Sequence, residues 1–325
     1  MGDPATGSQS TVVVDFESSW GVAKGSPKGR KIAVQECGIL PTQALLTNPN
    51  ILGDFNPSRP VRGRKAAQGP LNLVPNLQVM PFLQKLLTGT LVKTGAADPW
   101  LATSKLGSTM PASAIIESAF NIGGTMRYAR ATGVRINSLT IPISFEGFLQ
   151  LAMDVMAKDV TIETSAYDAS LDDWTTYEPL EHLQLAGAAV KLGGSPVGFI
   201  KGGQIQIACN LQGDDYRVGG AGARGSLVPK AYGISGNLQL ALDSLAVMTL
   251  ITSDTPTDLE FTWRVDSDRS ETVTLPGVLL EKTGPAVKDG LIDVPVTFQA
   301  FKEAVAGTAL EMEASIGVDP DTEYV

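Results

Sequence analysis

The sequence has little of the chemistry that enzymes use most. Its 325 residues include one histidine, His182 in a leucine-rich segment, and two cysteines, Cys37 and Cys209. Histidine triads and multi-histidine metal sites need an imidazole held by several partners, so a single copy gives them a poor start. The cysteines form no CxxC pair and lie near the ends of strand-like segments, where we expect small buried residues in a reducing compartment. We therefore predict no catalytic residue, no cofactor and no metal.

Positive charge and long apolar runs are also scarce. The chain has 25 Lys and Arg against 34 Asp and Glu, a formal net charge of -9. This balance argues against tight binding of duplex DNA, which needs a basic surface, but allows contact with DNA that slides without sticking. The most apolar run, residues 245–251, is too short to cross a bilayer, and residues 1–10 lack the layout of a signal peptide. We expect a protein made in a cytoplasm, with no membrane partner.

Glycine and proline, in contrast, are plentiful. The 34 Gly and 20 Pro predict many turns between short strands, and 43% hydrophobic residues describe a globular chain long enough for two domains. Alternation of apolar and polar residues predicts half-buried strands at 204–209, 258–265 and 291–298. In 134–145 the alternation changes phase between Ile136 and Leu139, which predicts a β-bulge. The fold class is thus mainly β.

Two short helices accompany the predicted strands. Apolar residues at helical spacing predict one over residues 77–87, kinked or starting late because of Pro81. A second begins after Asp243 and Ser244, a suitable N-cap, and runs to Ile251.

The second half of the chain faintly repeats the first. Four pairs of segments lie about half a chain apart in the same order: 50–54 with 210–214, 69–73 with 236–240, 77–80 with 245–248, and 133–136 with 290–293. A stronger match of 147–154 with 236–243 lies off this diagonal, and we regard it as chance because several ordered matches outweigh one. The pattern predicts two tandem modules, 1–186 and 187–325, from duplication.

A Pro-, Asn- and Arg-rich stretch, about residues 48–68, cannot lie in the centre of a sheet because proline lacks a donor. Its basic residues are Arg59, Arg62, Arg64 and Lys65. Two interpretations stand side by side: a solvated loop, or a basic arm that reaches an acidic neighbour of the same kind. A second basic cluster, Lys24, Lys28, Arg30 and Lys31, lies in an earlier loop.

Two segments resemble active-site motifs. The glycines of 219–226 have the spacing of a phosphate loop, but Ser226 stands where the lysine belongs, so we expect a hairpin tip. The acidic stretch 167–179, a candidate connection between the modules, has Asp168, Asp172 and Asp173 beside Trp174, and paired carboxylates hydrolyse glycosides. A solvated acidic loop is the favoured interpretation.

Several segments together resemble a known family, the major tail tube proteins of long-tailed bacteriophages. They are 20–22, the arm from 48 to 64, 113–117, 127–139 and 205–211. The resemblance implies two tandem β-sandwich or barrel modules, each with a short flanking helix and long loops. It also implies a structural protein, not an enzyme, whose rings stack into the hollow tail tube through which viral DNA passes during ejection.

The resemblance also implies partners. Modules of this family close into six-fold rings, so two per chain give trimeric, pseudo-hexameric rings, and one per chain gives hexamers. Other partners are the tape measure, terminator and tip proteins of the virion tail, and DNA passes without specific binding. A polar, acidic lumen repels phosphate, and we expect Asp258, Glu260 and Asp293 to line it.

Two alternatives remain. One is a carbohydrate-binding or glycan-cleaving β-sandwich protein of a tail tip or cell wall, although aromatics are only 6% of the residues and the four Trp are scattered. The other is a different virion part of the same fold, such as a head–tail connector or tail-tip protein.

Overall fold

The fold, seen in a computed structural model, is mainly β, as predicted. The structure describes residues 10–49, 58–95, 97–180, 190–196, 200–242, 252–284 and 293–320, together with a few isolated positions. In chain order the strands are β1 (Thr11–Phe16), β2 (Arg30–Ile32), β3 (Glu36–Cys37), β4 (Leu40–Leu46), β5 (Val61–Leu73), β6 (Val92–Thr94), β7 (Trp100–Lys105), β8 (Ala114–Ile122), β9 (Thr125–Ile143), β10 (Leu151–Ala157), β11 (Asp159–Glu163), β12 (Asp172–Asp173), β13 (Val190–Leu192), β14 (Ser195–Pro196), β15 (Ile200–Ala208), β16 (Leu211–Gln212), β17 (Val228–Pro229), β18 (Gly233–Ala241), β19 (Thr257–Arg264), β20 (Ser270–Leu280), β21 (Asp293–Ala300) and β22 (Glu311–Ile316).

The helix α1 (Met80–Thr88) begins late, as Pro81 predicts. Proline fits the first turn of a helix because an N–H there has no partner within the helix. The helix ends at Gly89, whose φ of 80° is a left-handed conformation that glycine adopts without strain. Nearly all of its residues are buried, and it packs against β7, β9 and β22. Residues 243–247 and 250–251 of the second predicted helix lie outside the described residues.

Eight strands form the first of two layers. Their order is β4–β5–β10–β9–β15–β18–β21–β20, and each strand is antiparallel to the next. The predicted bulge is present in β9: Val155 of β10 faces Ile136 and Asp154 faces Ser138, which leaves Asn137 without an opposing residue. The strands predicted at 204–209, 258–265 and 291–298 are β15, β19 and β21, each within a few residues.

The second layer has two groups of strands. One is β2–β1–β8–β9–β11, and the other is β13–β19–β20–β22–β7–β6. The long strands β9 and β20 belong to both layers, with their first part in the second layer and their last part in the first. Buried apolar residues of both layers and of α1 form one hydrophobic cluster. Most of the buried apolar surface that stabilises this fold lies there.

The second half of the chain repeats the strand pairings of the first. The pairings β1–β8, β8–β9, β9–β11, β9–β10, β10–β5 and β5–β4 recur as β13–β19, β19–β20, β20–β22, β20–β21, β21–β18 and β18–β15. The registers correspond as well. Ile116 faces Ala131 as Leu259 faces Leu275, and the next pairs, past a register shift in each case, are Ala114 with Val134 and Thr257 with Val278.

These registers correct one detail of the sequence comparison. Segments 69–73 and 236–240 do occupy equivalent places on β5 and β18. Val134 and Val278, however, hold the same place after their bulges, so the match of 133–136 with 290–293 is wrong and its counterpart is 277–280. Length and spacing alone could not reveal this, because the loops between equivalent strands differ in length.

Two strand pairings join the halves of the chain. In the first layer β9 pairs with β15, and in the second layer β7 pairs with β22. The predicted module boundary between residues 186 and 187 lies outside the described residues.

Candidate assembly surfaces

Among the described residues, none forms a layer over one face of the first layer, and this face carries neutral polar side chains. Along β15, Ile205 and Ile207 are fully buried beneath the second layer, whereas Gln204 and Gln206 point the other way and are exposed. Cross-strand partners share a face. The amide and hydroxyl side chains on the uncovered face are Gln68, Asn72, Ser138, Thr140, Gln204, Gln206, Ser235, Asn237, Gln239, Thr297 and Gln299.

Charges are few on this polar face, although the protein as a whole has a net charge of -9. The carboxylate of Asp154 accepts a hydrogen bond from Asn137 Nδ2 (3.0 Å), that of Glu36 accepts one from Asn72 Nδ2 (2.9 Å), and that of Asp293 lies 2.6 Å from Lys201 Nζ. A groove of about 600 Å³ lies on the face beside the end of β20, with Glu281 at its rim. The face is therefore a wall of hydrogen-bonding groups with little fixed charge.

The three acidic residues predicted to line a lumen are not together. Asp293 is on the polar face, opposite Ala241. Asp258 and Glu260 are on β19 in the second layer, where Glu260 is 2.5 Å from Lys191 and Asp258 accepts a hydrogen bond from the Gly194 N–H. The structure thus separates one of the predicted positions from the other two.

The first layer has an open edge at each end. At one end β4 pairs only with β5, and its large apolar residues Leu40, Leu45 and Leu46 are each more than half exposed. At the other end, the short segment of β20 that pairs with β21 continues into residues 281–284, of which Thr283 is half-buried and the other three are exposed. Lys282 Nζ lies 2.8 Å from Asp254 of the same chain. Unpaired strand edges with exposed leucines are ready to pair with another chain.

Of the predicted basic arm, residues 50–55 and 57 lie outside the described residues, and residues 61–68 belong to strand β5. Its four basic residues fall into two groups. Lys65 Nζ is 3.1 Å from Asp159, and the guanidinium of Arg64 lies 4.8 Å from the centre of the Tyr216 ring. These two residues are bound to their own chain. Arg59 and Arg62 lie nearer the tip and are exposed.

The other basic cluster binds the acidic stretch 167–179 of its own chain. Fully buried Asp15 accepts hydrogen bonds from Lys24 Nζ (3.1 Å) and Tyr167 Oη (3.0 Å), and burial raises the pKa of Tyr167. Lys31 pairs with Asp173 at 3.0 Å, and the guanidinium of Arg30 lies 5.3 Å from the centre of the Trp174 ring.

Asp173 lacks the raised pKa that a general acid in glycoside hydrolysis needs. Hydrogen bonds from Thr175, together with Lys31, lower the pKa of Asp173 to about 2. A general acid for glycoside hydrolysis needs a carboxyl group with a raised pKa. Asp168, in turn, accepts a hydrogen bond from the Gly29 N–H (2.7 Å). Asp168 and Asp173 therefore hold their own loop against the segment that contains Gly29 and Lys31.

Sequence reasoning missed two buried polar residues. Arg224 donates to the carbonyls of Ala67 (2.8 Å) and Ala157 (2.9 Å), and so binds the glycine-rich loop 219–226 to β5 and β10. Glu271 is fully buried in β20, where Gln84 of α1 donates to its carboxyl group at 3.1 Å. No local pattern marks either residue as buried, because burial here depends on strands distant in sequence.

Chemical sites of other kinds are not evident in the described ranges. No group of three or more His, Cys, Asp or Glu among the described residues could hold a metal ion, and His182 is outside those ranges. None of the helices within them has the length and apolar character needed to span a bilayer.

Comparison with protein families places this chain beside a known one. A family model described as phage tail tube protein matches residues 7–300 of the 325. A search of curated proteins gives no match.

Proposed function

This chain belongs to the phage tail tube protein family and is a structural protein of the virion tail, and we propose that three copies form each ring of the tube. The family assembles into a tube together with other tail proteins. The proposal concerns how this chain builds that tube and which surfaces it uses.

The lumen of the proposed tube is the polar face of the first layer. A ring made by joining first layers end to end has one face of the sheet inside and one outside. The apolar face is covered by the second layer, so only the polar face is free to line a channel. Asp293 lies on this face and is proposed to line the lumen. Asp258 and Glu260, which the sequence suggested as lining positions, lie on β19 in the second layer, and the proposed lumen does not include them.

The repeated strand pairings and the size of the sheet support the proposal of three chains per ring. If each half is one module, as the repeated registers favour, three chains supply six modules and a wall of twenty-four strands. At about 4.8 Å per strand this wall has a circumference on the order of 115 Å, or a diameter of about 37 Å between backbones. An eight-stranded barrel, which one chain alone would make, is filled by its own side chains.

The outer part of the β4–β5 hairpin is proposed to join one ring to the next. Arg59 and Arg62 are exposed there in a protein of net negative charge, so the surface of a second copy attracts them. Arg64 and Lys65 hold the base of the hairpin to its own chain.

The proposal also covers the use of the tube and the place where the chain is made. The chain has no catalytic role, is made in the host cytoplasm, and forms a conduit for viral DNA during ejection. Nothing in the described residues or the comparison supports the carbohydrate-binding or glycan-cleaving alternative.

Electron microscopy of the purified, concentrated chain tests the ring. We expect rings and hollow tubes whose averaged end views have three-fold symmetry with six similar lobes. Six identical lobes from six chains, established by the mass of an isolated ring, would contradict the trimer. Compact single particles at every concentration, even with preformed tail tips as initiators, would contradict self-assembly.

The double variant Arg59→Ala/Arg62→Ala tests the arm. We expect rings to form as before, while the yield of tubes falls several-fold because attraction between rings is lost. Arg127→Ala, which removes a charge on a different hairpin, is the matched control and should leave tube yield unchanged. Equal tube yields for the double variant and the native chain would rule the arm out.

A further inference from the structure

The open edge of β4 has the same position in its module as β15, which is already paired inside the chain. Gly69 of β5 and Gly236 of β18 show this most directly. A Cβ on Gly69 would lie 1.9 Å from the carbonyl oxygen of Gly38, and one on Gly236 would lie 2.2 Å from that of Gln204. Thr42 is four residues after Gly38 and Ala208 is four residues after Gln204, so Thr42 corresponds to Ala208. The registers agree, because Thr42 faces Ala66 and Ala208 faces Gly233, each three residues before the glycine of its strand.

The end of β20 likewise corresponds to the last part of β9. In the first half, Gly69 of β5 faces Val155 of β10, which on its other side faces Ile136 of β9. In the second half, Gly236 of β18 faces Phe298 of β21, which on its other side faces Leu280 of β20. The next residue of β9, Asn137, forms a bulge. At the equivalent position of β20, Glu281 donates its N–H to the Thr297 carbonyl (2.8 Å), so the contact with β21 continues one residue beyond Leu280. Lys282 therefore corresponds to Ser138.

Within the chain, these two kinds of edge are joined. Ala208 of β15 faces Ser138 of β9, Gln206 faces Thr140, and the Cys209 N–H donates to the Asn137 carbonyl at 2.8 Å. The first β4 edge and the last β20 edge of one chain cannot meet in the same way. Seven strand spacings, about 34 Å, separate them across the sheet.

Building on the proposed function, we propose that β4 of one chain pairs antiparallel with residues 281–284 of a second copy, in the register of the internal β9–β15 junction. Thr42 then faces Lys282, Leu40 faces Gly284, and the Gln43 N–H meets the Glu281 carbonyl. Leu40 is 65% exposed in the single chain, and the second copy covers the strand edge on which it lies. The occupant of both open edges is thus the same protein.

Pro41 makes this junction between chains weaker than the one within the chain. Cys209 of the chain directs its N–H to β9. Every second residue of a strand directs its N–H to the same side, so the N–H of Ile207 also points to β9. Pro41 corresponds to Ile207 and has no N–H. Gly38 directs its N–H towards β5 (2.8 Å to the Pro70 carbonyl), so Pro41 lies on the outward side of β4. Proline at such an edge also disfavours premature pairing.

Paired cysteines test the register. In a background with Cys37→Ser and Cys209→Ala, the pairs Thr42→Cys/Lys282→Cys and Leu40→Cys/Gly284→Cys are oxidised after tube assembly. Directly opposed residues have Cβ atoms about 4.5–5.5 Å apart, close to disulfide geometry. We expect covalent products of two and three chains from each pair. Gly284 tolerates substitution, since a Cβ there meets no atom within 4 Å.

Control variants separate the outcomes. Ser138→Cys/Ala208→Cys, the internal equivalent, should form a disulfide within one chain, and each single variant should give no trimer. Rings or tubes that form without cross-links from either inter-chain pair would overturn the register yet leave the tube function standing. Absence of rings and tubes from the unmodified chain would instead contradict the proposed function itself.

A second measurement does not depend on cysteine. Pro41→Ile restores the missing N–H, and we expect the concentration at which tubes form to fall about fivefold, the effect of one net hydrogen bond. An unchanged threshold concentration would contradict the proposed register, because no donor would then be missing at Pro41.

Discussion

Buried ionisable side chains set much of the behaviour of individual residues here. Glu271 is the most extreme, because it is fully buried and has one amide, that of Gln84, as hydrogen-bond donor. Burial raises the pKa of Glu271 well above the ordinary value of 4.5. The side chain is therefore protonated in the fold over a range of pH where it is ionised in the unfolded chain.

A prediction about pH follows for this residue. A raised pKa in the folded state means that stability is full below about pH 4.5 and declines as the pH rises towards the folded pKa. Glu271→Gln removes the ionisation and keeps the shape, so we expect its melting temperature to exceed that of the native chain at pH 8. The difference should vanish near pH 4.5, as measured by thermal unfolding of the unassembled protein. Curves of melting temperature against pH that run parallel for the two proteins would contradict this prediction. Glu311→Gln, which removes the charge of a half-exposed ion pair with Lys105, is the control.

At the scale of elements, Gly69 on β5 and Gly236 on β18 are sequence features that the repeated strand arrangement requires. Each lies where the neighbouring strand passes too close for a side chain, with carbonyl oxygens 1.9 Å and 2.2 Å from the place that a Cβ atom would occupy. A strand interior disfavours glycine unless backbone approaches closely, and here that requirement occurs twice in equivalent places.

Matched substitutions test this equivalence. Gly69→Ala and Gly236→Ala should each lower the free energy of unfolding by about 1–3 kcal/mol, the usual cost of forcing atoms into a packed site. Gly107→Ala should change it by less than about 0.5 kcal/mol, because no atom lies within 4 Å of its Cβ position. Urea unfolding of the unassembled chain measures all three. A harmless alanine at either strand glycine would contradict the close approach.

The same elements explain what the sequence reveals and what it hides. Period-two alternation predicted β15, β19 and β21 because a strand with one buried face must alternate, and Pro81 predicted the late start of α1. The bulge at Asn137 was visible as a change of phase. The partners of each strand were not visible, because register depends on contacts between segments far apart in sequence, and neither was the burial of Arg224 or Glu271.

The candidate surfaces were predictable to a similar degree. The basic composition of the arm made Arg59 and Arg62 candidates for contact with another copy, which stays a prediction. It did not reveal that Arg64 and Lys65 bind Tyr216 and Asp159 of the same chain. Polar residues on β15 and β21 were evident from alternation. Which of many polar faces remains uncovered depends on the second layer, so the sequence could not select it.

At the scale of the whole molecule, the proposed lumen carries mostly neutral polar side chains, with a few carboxylates and Lys201 among them. DNA passing such a wall meets hydrogen-bonding groups that water also satisfies, and meets no array of cations to which phosphates would bind. Binding of DNA to the lumen of the native tube should accordingly be weak at any salt concentration.

Added cations test this chemistry. In tubes of Gln206→Lys/Asn237→Lys, each ring gains six positive charges on the polar face, and a short DNA duplex should sediment with the tubes at about 50 mM salt and much less at about 200 mM. Thr125→Lys/Thr161→Lys, with the same change of charge on exposed second-layer strands, is the control; DNA bound there should be released by nuclease. Lumenal DNA should be protected along the tube. Nuclease-sensitive binding to the first variant would place the polar face outside the lumen.

The β6–β7 hairpin gives the tube a periodicity that its wall lacks. It precedes β8 in the first half and pairs with β22, but no hairpin among the described residues of the second half stands in the corresponding place before β19. In the proposed ring of three chains, the wall of the lumen repeats, to a good approximation, six times around the axis, whereas this hairpin repeats three times. A protein that recognised the hairpin would then find half as many attachment points per ring as there are modules.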